Sequence, residues 1–251
     1  MKRYGLIGHP LGHSFSKDYF NEKFLREGLD CLYDNFDLPD FSLFPSLLQQ
    51  HTDLKGFNVT IPYKKAIIPY LQEMDEVSSE IQAVNTVKVL EDGRLHGFNT
   101  DVIGLKASLD CLGPLPSSAL VFGTGGASQA VQYVLKKQHI DYQLVSRTPD
   151  HGIMTYKQLT PSILKEHRLL INATPVGTYP EVNSTLPLPY EAITSQHLLL
   201  DLVYNPEETL FLKEGKQRGA TTMNGLKMLY TQAEASWNIW NSKNNLSLII
   251  F

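Results

Sequence analysis

Lys64 closes the run Asn58-Val59-Thr60-Ile61-Pro62-Tyr63-Lys64, the stretch of this chain richest in side chains that could do chemistry. Val59 and Ile61 alternate with polar neighbours, which predicts the end of a half-buried strand. Pro62 offers no amide hydrogen to a ladder and stops that strand. A carboxamide, a hydroxyl and an amine are then delivered together at a strand-to-helix corner. A lysine after a strand is most often a solvated charge, so its meaning depends on what else the chain supplies.

Further polar groups lie on both sides of that run. Ser14 and Ser16 flank Phe15, after a glycine-containing turn and before a helical stretch. Ser16 alone could cap the helix; alternatively both hydroxyls could bind a carboxylate, helped by the helix N-terminus. Asn85-Thr86 and Asn99-Thr100-Asp101 flank a hairpin expected at Asp92-Gly93. Each alone passes as turn chemistry. Together with the Lys64 corner they form a polar constellation near the edges of one sheet. His9 and His13 are four apart, but Pro10 and Gly12 oppose a helix and no carboxylate accompanies them, so no metal site is expected.

A second chemistry appears at Gly123-Thr124-Gly125-Gly126-Ala127-Ser128. A G-x-G that follows a strand and opens a helix can cradle a pyrophosphate: Gly123 for the tight turn, Gly125 for close backbone approach, and the helix N-terminus for charge. Ser128 stands where the full fingerprint has its third glycine. The next strand ends in Ser146-Arg147-Thr148 rather than in an acidic residue. A guanidinium beside hydroxyls suits a ribose 2′-phosphate, so NADP is favoured over NAD.

These groups need elements to hold them. Short apolar runs alternate with amphipathic helix-length stretches, an α/β pattern. Strands are expected at 4–7, 32–36, 57–61, 86–90 and 95–98. A helix carrying Tyr19, Phe20, Phe24 and Leu25 on one face should close at Gly28, and 41–50 reads as helical despite Pro45. After Asp101 the pattern changes. Residues 102–112 read as a helix and 113–118 as a linker. Continuous apolar strands at 119–122, 142–145, 169–171 and 198–202 suit a parallel sheet covered on both faces. A long helix runs from 226 to about 240.

At 251 residues the chain can hold one large domain or two modest ones. Its net charge of -4 and scattered basic residues leave no footprint for nucleic acid. Cys31 and Cys111 cannot build a disulfide framework. The N-terminal apolar run is broken by Gly8 and Pro10, and no segment approaches the roughly 20 apolar residues of a membrane span. A soluble, cytoplasmic protein is expected.

Taken together, these motifs resemble the shikimate dehydrogenase family nearly end to end. The resemblance rests on the Gly8-His9-Pro10-Leu11-Gly12-His13-Ser14-Phe15-Ser16 segment, the Lys64 run, Ala83-Val84-Asn85-Thr86 and Gly97-Phe98-Asn99-Thr100-Asp101. The glycine loop, Ser146-Arg147-Thr148, Asn172-Ala173-Thr174-Pro175-Val176-Gly177, Asp201-Leu202-Val203-Tyr204 and Gly225-Leu226 with Gln232 follow in order. It implies two α/β domains with the active site in the cleft between them. Residues 1–101, completed by C-terminal helices at 224–251, would bind substrate, and 102–223 would be a Rossmann-like NADP domain. The implied reaction is reversible, NADPH-dependent reduction of 3-dehydroshikimate to shikimate, in aromatic amino-acid biosynthesis. Catalysis would fall to Lys64 and Asp101. Ser14, Ser16, Thr60, Asn85, Tyr204 and Gln232 would bind substrate. Gly123, Gly125, Gly126, Ala127, Ser146, Arg147, Thr148, Asn172, Thr174 and Gly225 would bind the cofactor. The implied state is a monomer or homodimer.

Some positions depart from the family pattern. Many members carry another basic residue shortly after the one matched by Arg147, whereas Pro149, Asp150 and His151 follow here. NADP selectivity is therefore expected either to be weaker or to use another contact. Thr178 and Tyr179 stand where Met is common, and Lys227 replaces a common glycine. The alternatives are a quinate/shikimate dehydrogenase using NAD or NADP, and a non-catalytic dinucleotide-sensing homologue.

Overall fold

The computed structural model describes residues 1–12 and 14–242, and the chain divides into two units. Among the described residues, one comprises 1–100 together with 233–242, and the other is Asp101–Gln232. The division thus falls between Thr100 and Asp101. The 113–118 stretch, expected as a linker, lies inside the second unit: 113–117 form a loop, with Gly113 at the positive φ of 87° that turns the chain, and Ser118 opens a strand.

The first unit runs β1 (Lys2–Gly8), α1 (Phe15–Glu27), β2 (Cys31–Asp37), α2 (Phe44–Gln50), β3 (Leu54–Val59), β4 (Glu73–Met74), α3 (Glu76–Ile81), β5 (Thr86–Val89) and β6 (Leu95–Phe98). Its six strands lie in the order β2-β1-β3-β5-β6-β4. β1 is parallel to both its neighbours, while β3, β5 and β6 pair antiparallel. The turn at Asp92-Gly93 joins β5 to β6, with Gly93 at φ 84°. Strand alternation sends Ile7, Phe57, Val59, Val87 and Leu95 into one core with Phe44 and Leu47. Tyr4, Tyr33 and Phe98 belong to the other core, with Phe20, Phe24 and Trp240.

Three expectations fail here, each for a physical reason. Leu25 is 84% exposed, because Phe20 and Phe24 are four apart and fix the buried stripe one position away from it. β3 ends at Val59, and Ile61 is 73% exposed. β3 is covered on both faces, so its apolar signal is not the alternation that had extended it to Ile61. No α-helix follows Pro62 either. Residues 61–67 form turns, then one 3₁₀ turn spans Ile68–Tyr70, where Pro69 restricts the residue before it.

The second unit contains α4 (Asp101–Cys111), β7 (Ser118–Phe122), α5 (Gly126–Lys137), β8 (Asp141–Ser146), β9 (Met154–Thr155), α6 (Pro161–Glu166), β10 (Leu169–Asn172), β11 (Leu198–Asp201), α7 (Leu210–Gln217), β12 (Thr221–Met223) and the start of α8 (Leu226–Asn241). All six strands are parallel, in the order β12-β11-β10-β7-β8-β9. The chain leaves β7 for β8 and β9 on one side, then returns to build β10 to β12 on the other. That reversal beside β7 is where open α/β sheets bind ligands, outside the carboxyl ends of the strands. Leu120, Phe122, Val145, Leu170, Leu199 and Phe211 form its core.

Of the 224–251 segment expected to complete the first domain, 224–232 groups with the second unit and 233–242 with the first. Residues 243–251 lie outside the described residues. Among the described residues no helix is long and apolar enough to cross a membrane.

Trp240 explains the glycine in β3. Its indole donates to the Val87 carbonyl at 3.0 Å, stacks on Tyr4 at 4.9 Å, and occupies the space a Gly56 side chain would fill, within 2.3 Å of an added Cβ. Trp240→Ala should therefore destabilise the protein by about 3–5 kcal/mol in denaturant unfolding. A loss below about 1 kcal/mol would contradict this packing role.

Candidate active site

Lys64 is held through its backbone. The Val84 amide donates to the Lys64 carbonyl at 2.8 Å, next to Asn85 in the chain. Upstream, the Thr60 amide donates to the Ile7 carbonyl at 2.8 Å and the Tyr63 amide to the Thr60 carbonyl at 2.8 Å. The ends of β1 and β3 therefore fix the turn that carries the lysine. The Lys64 side chain is half-buried.

Asn85 is buried with its carboxamide oxygen turned to Thr100. It accepts from the Thr100 amide at 2.7 Å, and the Thr100 hydroxyl lies at 3.1 Å. Asp101 is the next residue, buried, and opens α4. Behind Asn85 runs a continuous polar network. Ser16 hydrogen-bonds the Tyr33 hydroxyl, and burial pushes that phenol well above its ordinary value against the effect of this bond. Tyr33 donates to Asn58 Oδ1 at 2.8 Å. Asn58 Nδ2 reaches the Asn85 carbonyl at 3.2 Å, Thr86 at 3.0 Å and Ser236 at 2.9 Å. Thr86 and Thr100 lie 2.8 and 3.2 Å from the Ser236 hydroxyl. Every member thus has partners, as a buried polar group requires.

Ser14, and not Ser16, is the helix cap: its hydroxyl accepts from the Lys17 amide at 3.4 Å. Ser16 lies inside the first turn of α1 and joins the network instead. Nearby, His9 pairs with Asp37 at 2.6 Å and holds that carboxyl below its usual range. His13 lies outside the described residues.

In the second unit, Gly123 has φ +105°, and an added Cβ would lie 2.9 Å from Thr174 Cγ2. Its amide is anchored on the Val145 carbonyl at 2.8 Å. Gly125 differs. It precedes α5 with no side-chain cap on that helix, and nothing lies within 4 Å of where its Cβ would be. Gly126 and Ala127 then start α5. An open cradle beside uncapped helix amides fits a pyrophosphate. Ser128, at the third-glycine position, is fully buried and accepts from Gln132 at 3.3 Å.

Asn172 and Asp201 brace the neighbouring loop, whose Ala173 and Thr174 lie against Gly123. Asn172 accepts from the Thr174 amide and hydroxyl at 3.0 and 2.6 Å and donates to Asp201 at 2.9 Å. Asp201 also accepts from the Val203 amide at 3.0 Å and the Thr209 hydroxyl at 2.5 Å. Burial pushes its carboxyl up to about 6, opposed by these three bonds. Asn172 is itself fully buried, with its side chain engaged inside the unit. Gly225 is required because an added Cβ would meet the Leu202 carbonyl at 2.3 Å. Its amide bonds the Val203 carbonyl at 3.0 Å, next to Tyr204, whose phenol burial pushes up. Gln232 lies on α8 and donates to the Leu229 carbonyl at 2.9 Å.

Ser146 ends β8 and accepts from the Thr148 amide at 3.3 Å; Arg147 and Thr148 are exposed. A cavity of about 500 Å³ opens beside them, lined by Arg147, Pro149, Thr155, Tyr156, Lys157 and Pro187.

Residues 6–87 match the model of the shikimate dehydrogenase substrate binding domain. A protein of Methanococcus maripaludis named shikimate dehydrogenase (NADP(+)) is 37% identical, the alignment covering 96% of this chain and 92% of that one. The chain belongs to the shikimate dehydrogenase family. The crystal structure of the Thermus thermophilus shikimate 5-dehydrogenase in complex with NADP(H) and shikimate is similar at TM-score 0.84 and 33% identity, over 96% of this chain and 94% of that one. A quinate dehydrogenase of Corynebacterium glutamicum in complex with NAD reaches TM-score 0.84 at 25% identity, over 96% of this chain and 93% of that one.

Sequence reasoning passed over several members of the site in this family member. Tyr33 and Ser236 read as ordinary strand and helix residues, and Tyr156 and Lys157 lie nine and ten residues beyond Arg147. Ser236 was the most findable, as a hydroxyl among apolar and aromatic residues on α8.

The Asp201 carboxyl lies above its ordinary 3.8 in the folded protein. The native state therefore holds this proton more tightly than the unfolded chain. Its contribution to stability falls as pH rises from about 4 to about 6, by up to roughly 3 kcal/mol, and is constant above. Asp201→Asn keeps an acceptor for Asn172 and Val203 and should remove that slope. Identical pH dependence of unfolding in the variant and the parent would refute the assignment.

Proposed function

We propose that the chain reduces 3-dehydroshikimate to shikimate with NADPH, reversibly, in the cytoplasm. The observation that carries this reading is the cluster built on Asn85. One hydrogen bond links the Lys64 backbone to the residue before Asn85, and another links the Asn85 side chain to the residue before Asp101. These two bonds support a reading in which Lys64 is the proton donor, Asn85 a hydroxyl-binding carboxamide and Asp101 its carboxylate partner, in a member of a family whose relatives are named shikimate dehydrogenase (NADP(+)).

The first unit would bind the substrate. Ser14 and Ser16 would hold its carboxylate, Thr60 and Asn85 would bind ring hydroxyls, and Tyr204 and Gln232 would also bind substrate. NADPH supplies the hydride when bound. As the carbonyl oxygen gains negative charge, the Lys64 ammonium stabilises it and transfers a proton from Nζ. In the reverse direction Lys64 takes that proton back. Asp101 would orient the lysine for this transfer. In the second unit, Gly123, Gly125, Gly126 and Ala127 would hold the pyrophosphate, with Arg147, Ser146 and Thr148 at the 2′-phosphate. Thr174 and Gly225 would line the cofactor side, and Asn172 would keep Thr174 in place.

Lys64→Ala should lower kcat by at least about a hundredfold with little change in KM for shikimate, the pattern of a lost proton transfer. Near-normal turnover would remove Lys64 from the chemistry and favour a non-catalytic dinucleotide binder. Initial rates with shikimate and quinate, each with NADP and NAD, test substrate and cofactor together. Shikimate with NADP should be fastest; equal or faster turnover of quinate with NAD would replace this reading with that of a quinate dehydrogenase.

A further inference from the structure

The residues directly after Arg147 offer no second cation, but the fold supplies one from farther along the chain. β9 pairs parallel with the end of β8, placing Thr155 in register with Ser146. The chain then enters a 3₁₀ turn, Tyr156–Gln158, that carries Lys157. That turn is fixed: Gln158 Oε1 accepts from the Thr155 amide at 2.7 Å and the Thr155 hydroxyl at 2.9 Å. Tyr156 is anchored beneath it, its ring parallel to Phe122 with centroids 6.1 Å apart. Arg147 and Lys157 consequently line one cavity, from two different strands' ends.

Neither cation has a carboxylate partner among the described residues, unlike Lys106, Lys216 and Arg218. Two like charges lining one cavity repel, and an anion between them removes that cost. A phosphate monoester carries close to two negative charges near pH 7, so it can use both. The guanidinium offers a planar fork of donors and the ammonium a compact charge, which together suit three phosphate oxygens. Pro149, Tyr156 and Pro187 supply apolar wall for the attached nucleoside.

We propose that Lys157 is the second cation of a 2′-phosphate clamp formed with Arg147 in this cavity, and that it helps determine selection of NADP over NAD. The assignment rests on the dinucleotide reading of the second unit given above. Of the two expectations, weaker selectivity or another contact, it takes the second, with the contact drawn from the turn after β9 rather than from the residues after Arg147.

The test is calorimetric binding of adenosine 2′,5′-bisphosphate and of 5′-AMP to the full chain, so no turnover is involved. The parent protein should prefer the bisphosphate by at least about tenfold, the scale of charge-assisted hydrogen bonds at a partly exposed site. Lys157→Ala should weaken the bisphosphate about five- to tenfold and leave 5′-AMP within about twofold, whereas Lys157→Arg retains most of the preference. Unchanged preference in Lys157→Ala, or equal weakening of both ligands, would overturn the role of Lys157 alone. A parent protein that does not distinguish the two ligands would overturn the clamp and the NADP reading together. In Arg147→Ala, the remaining preference should fall again when Lys157→Ala is added; no further fall would also overturn the clamp.

Discussion

The Asn58 carboxamide is the group on which the first unit depends. Its oxygen accepts from Tyr33, and its two N–H groups are shared among the Asn85 carbonyl, Thr86 and Ser236. Through these partners one side chain ties together β2, β3, β5 and α8. The network is buried, where an abandoned donor or acceptor costs about 1–3 kcal/mol. Such a network allows little local adjustment, because moving one member leaves another unmatched. The consequence reaches the chemistry: Asn85 can present its oxygen to the Thr100 amide only while Asn58 and Thr86 fix the strand beneath it.

The second unit solves the same problem with a charge. Asn172 also stands at the end of a strand and turns its carboxamide back on the following loop, bonding Thr174. Its other partner, Asp201, is a carboxylate rather than a hydroxyl. The first network contains only neutral hydroxyls and amides, so its hydrogen bonds do not change as the pH moves through the mildly acid range. The brace of the loop that lies against Gly123 contains a carboxyl raised to about 6 and responds to pH there. The two halves of the molecule are thus stabilised by similar geometry with different electrostatic character.

What could be read from the sequence was whatever a local rule determines. The Asp92-Gly93 turn, the helix stop at Gly28 and the strand-glycine-helix corner at Gly123 each follow from backbone freedom at one or two residues. The family motifs carried the order of the polar constellation. Errors arose where a residue's environment is set by distant chain. Ile61 read as buried because alternation was extrapolated past a strand that is covered on both faces. Leu25 read as buried because an apolar residue beside Phe24 fits a wide stripe, whereas Lys23 takes that place with its stem buried and its ammonium on Glu27 and Glu234. The partners of Ser236 and the role of Lys157 were hidden for the same reason: only the return of α8 and the pairing of β9 bring these residues into place.

Charge placement gives the same distinction a functional form. The chain is acidic overall, with a net charge of -4, so its average field does not attract an anionic cofactor. Many of its cations are also neutralised locally: Arg3 by Asp34 and Asp53, Arg94 by Asp92 and Glu73, Arg218 by Glu214. Recognition of an anion must therefore come from cations whose pairing is withheld at one place. Over distances beyond roughly 8 Å salt screens the acidic surround, while charges in direct contact with a ligand are screened far less. Arg147 and Lys157 meet that condition because β9 is short and parallel to β8, so that the turn after it brings a lysine to the cavity without a carboxylate beside it. Selectivity at such a site depends on which cations the fold leaves unmatched, and composition alone carries no record of that.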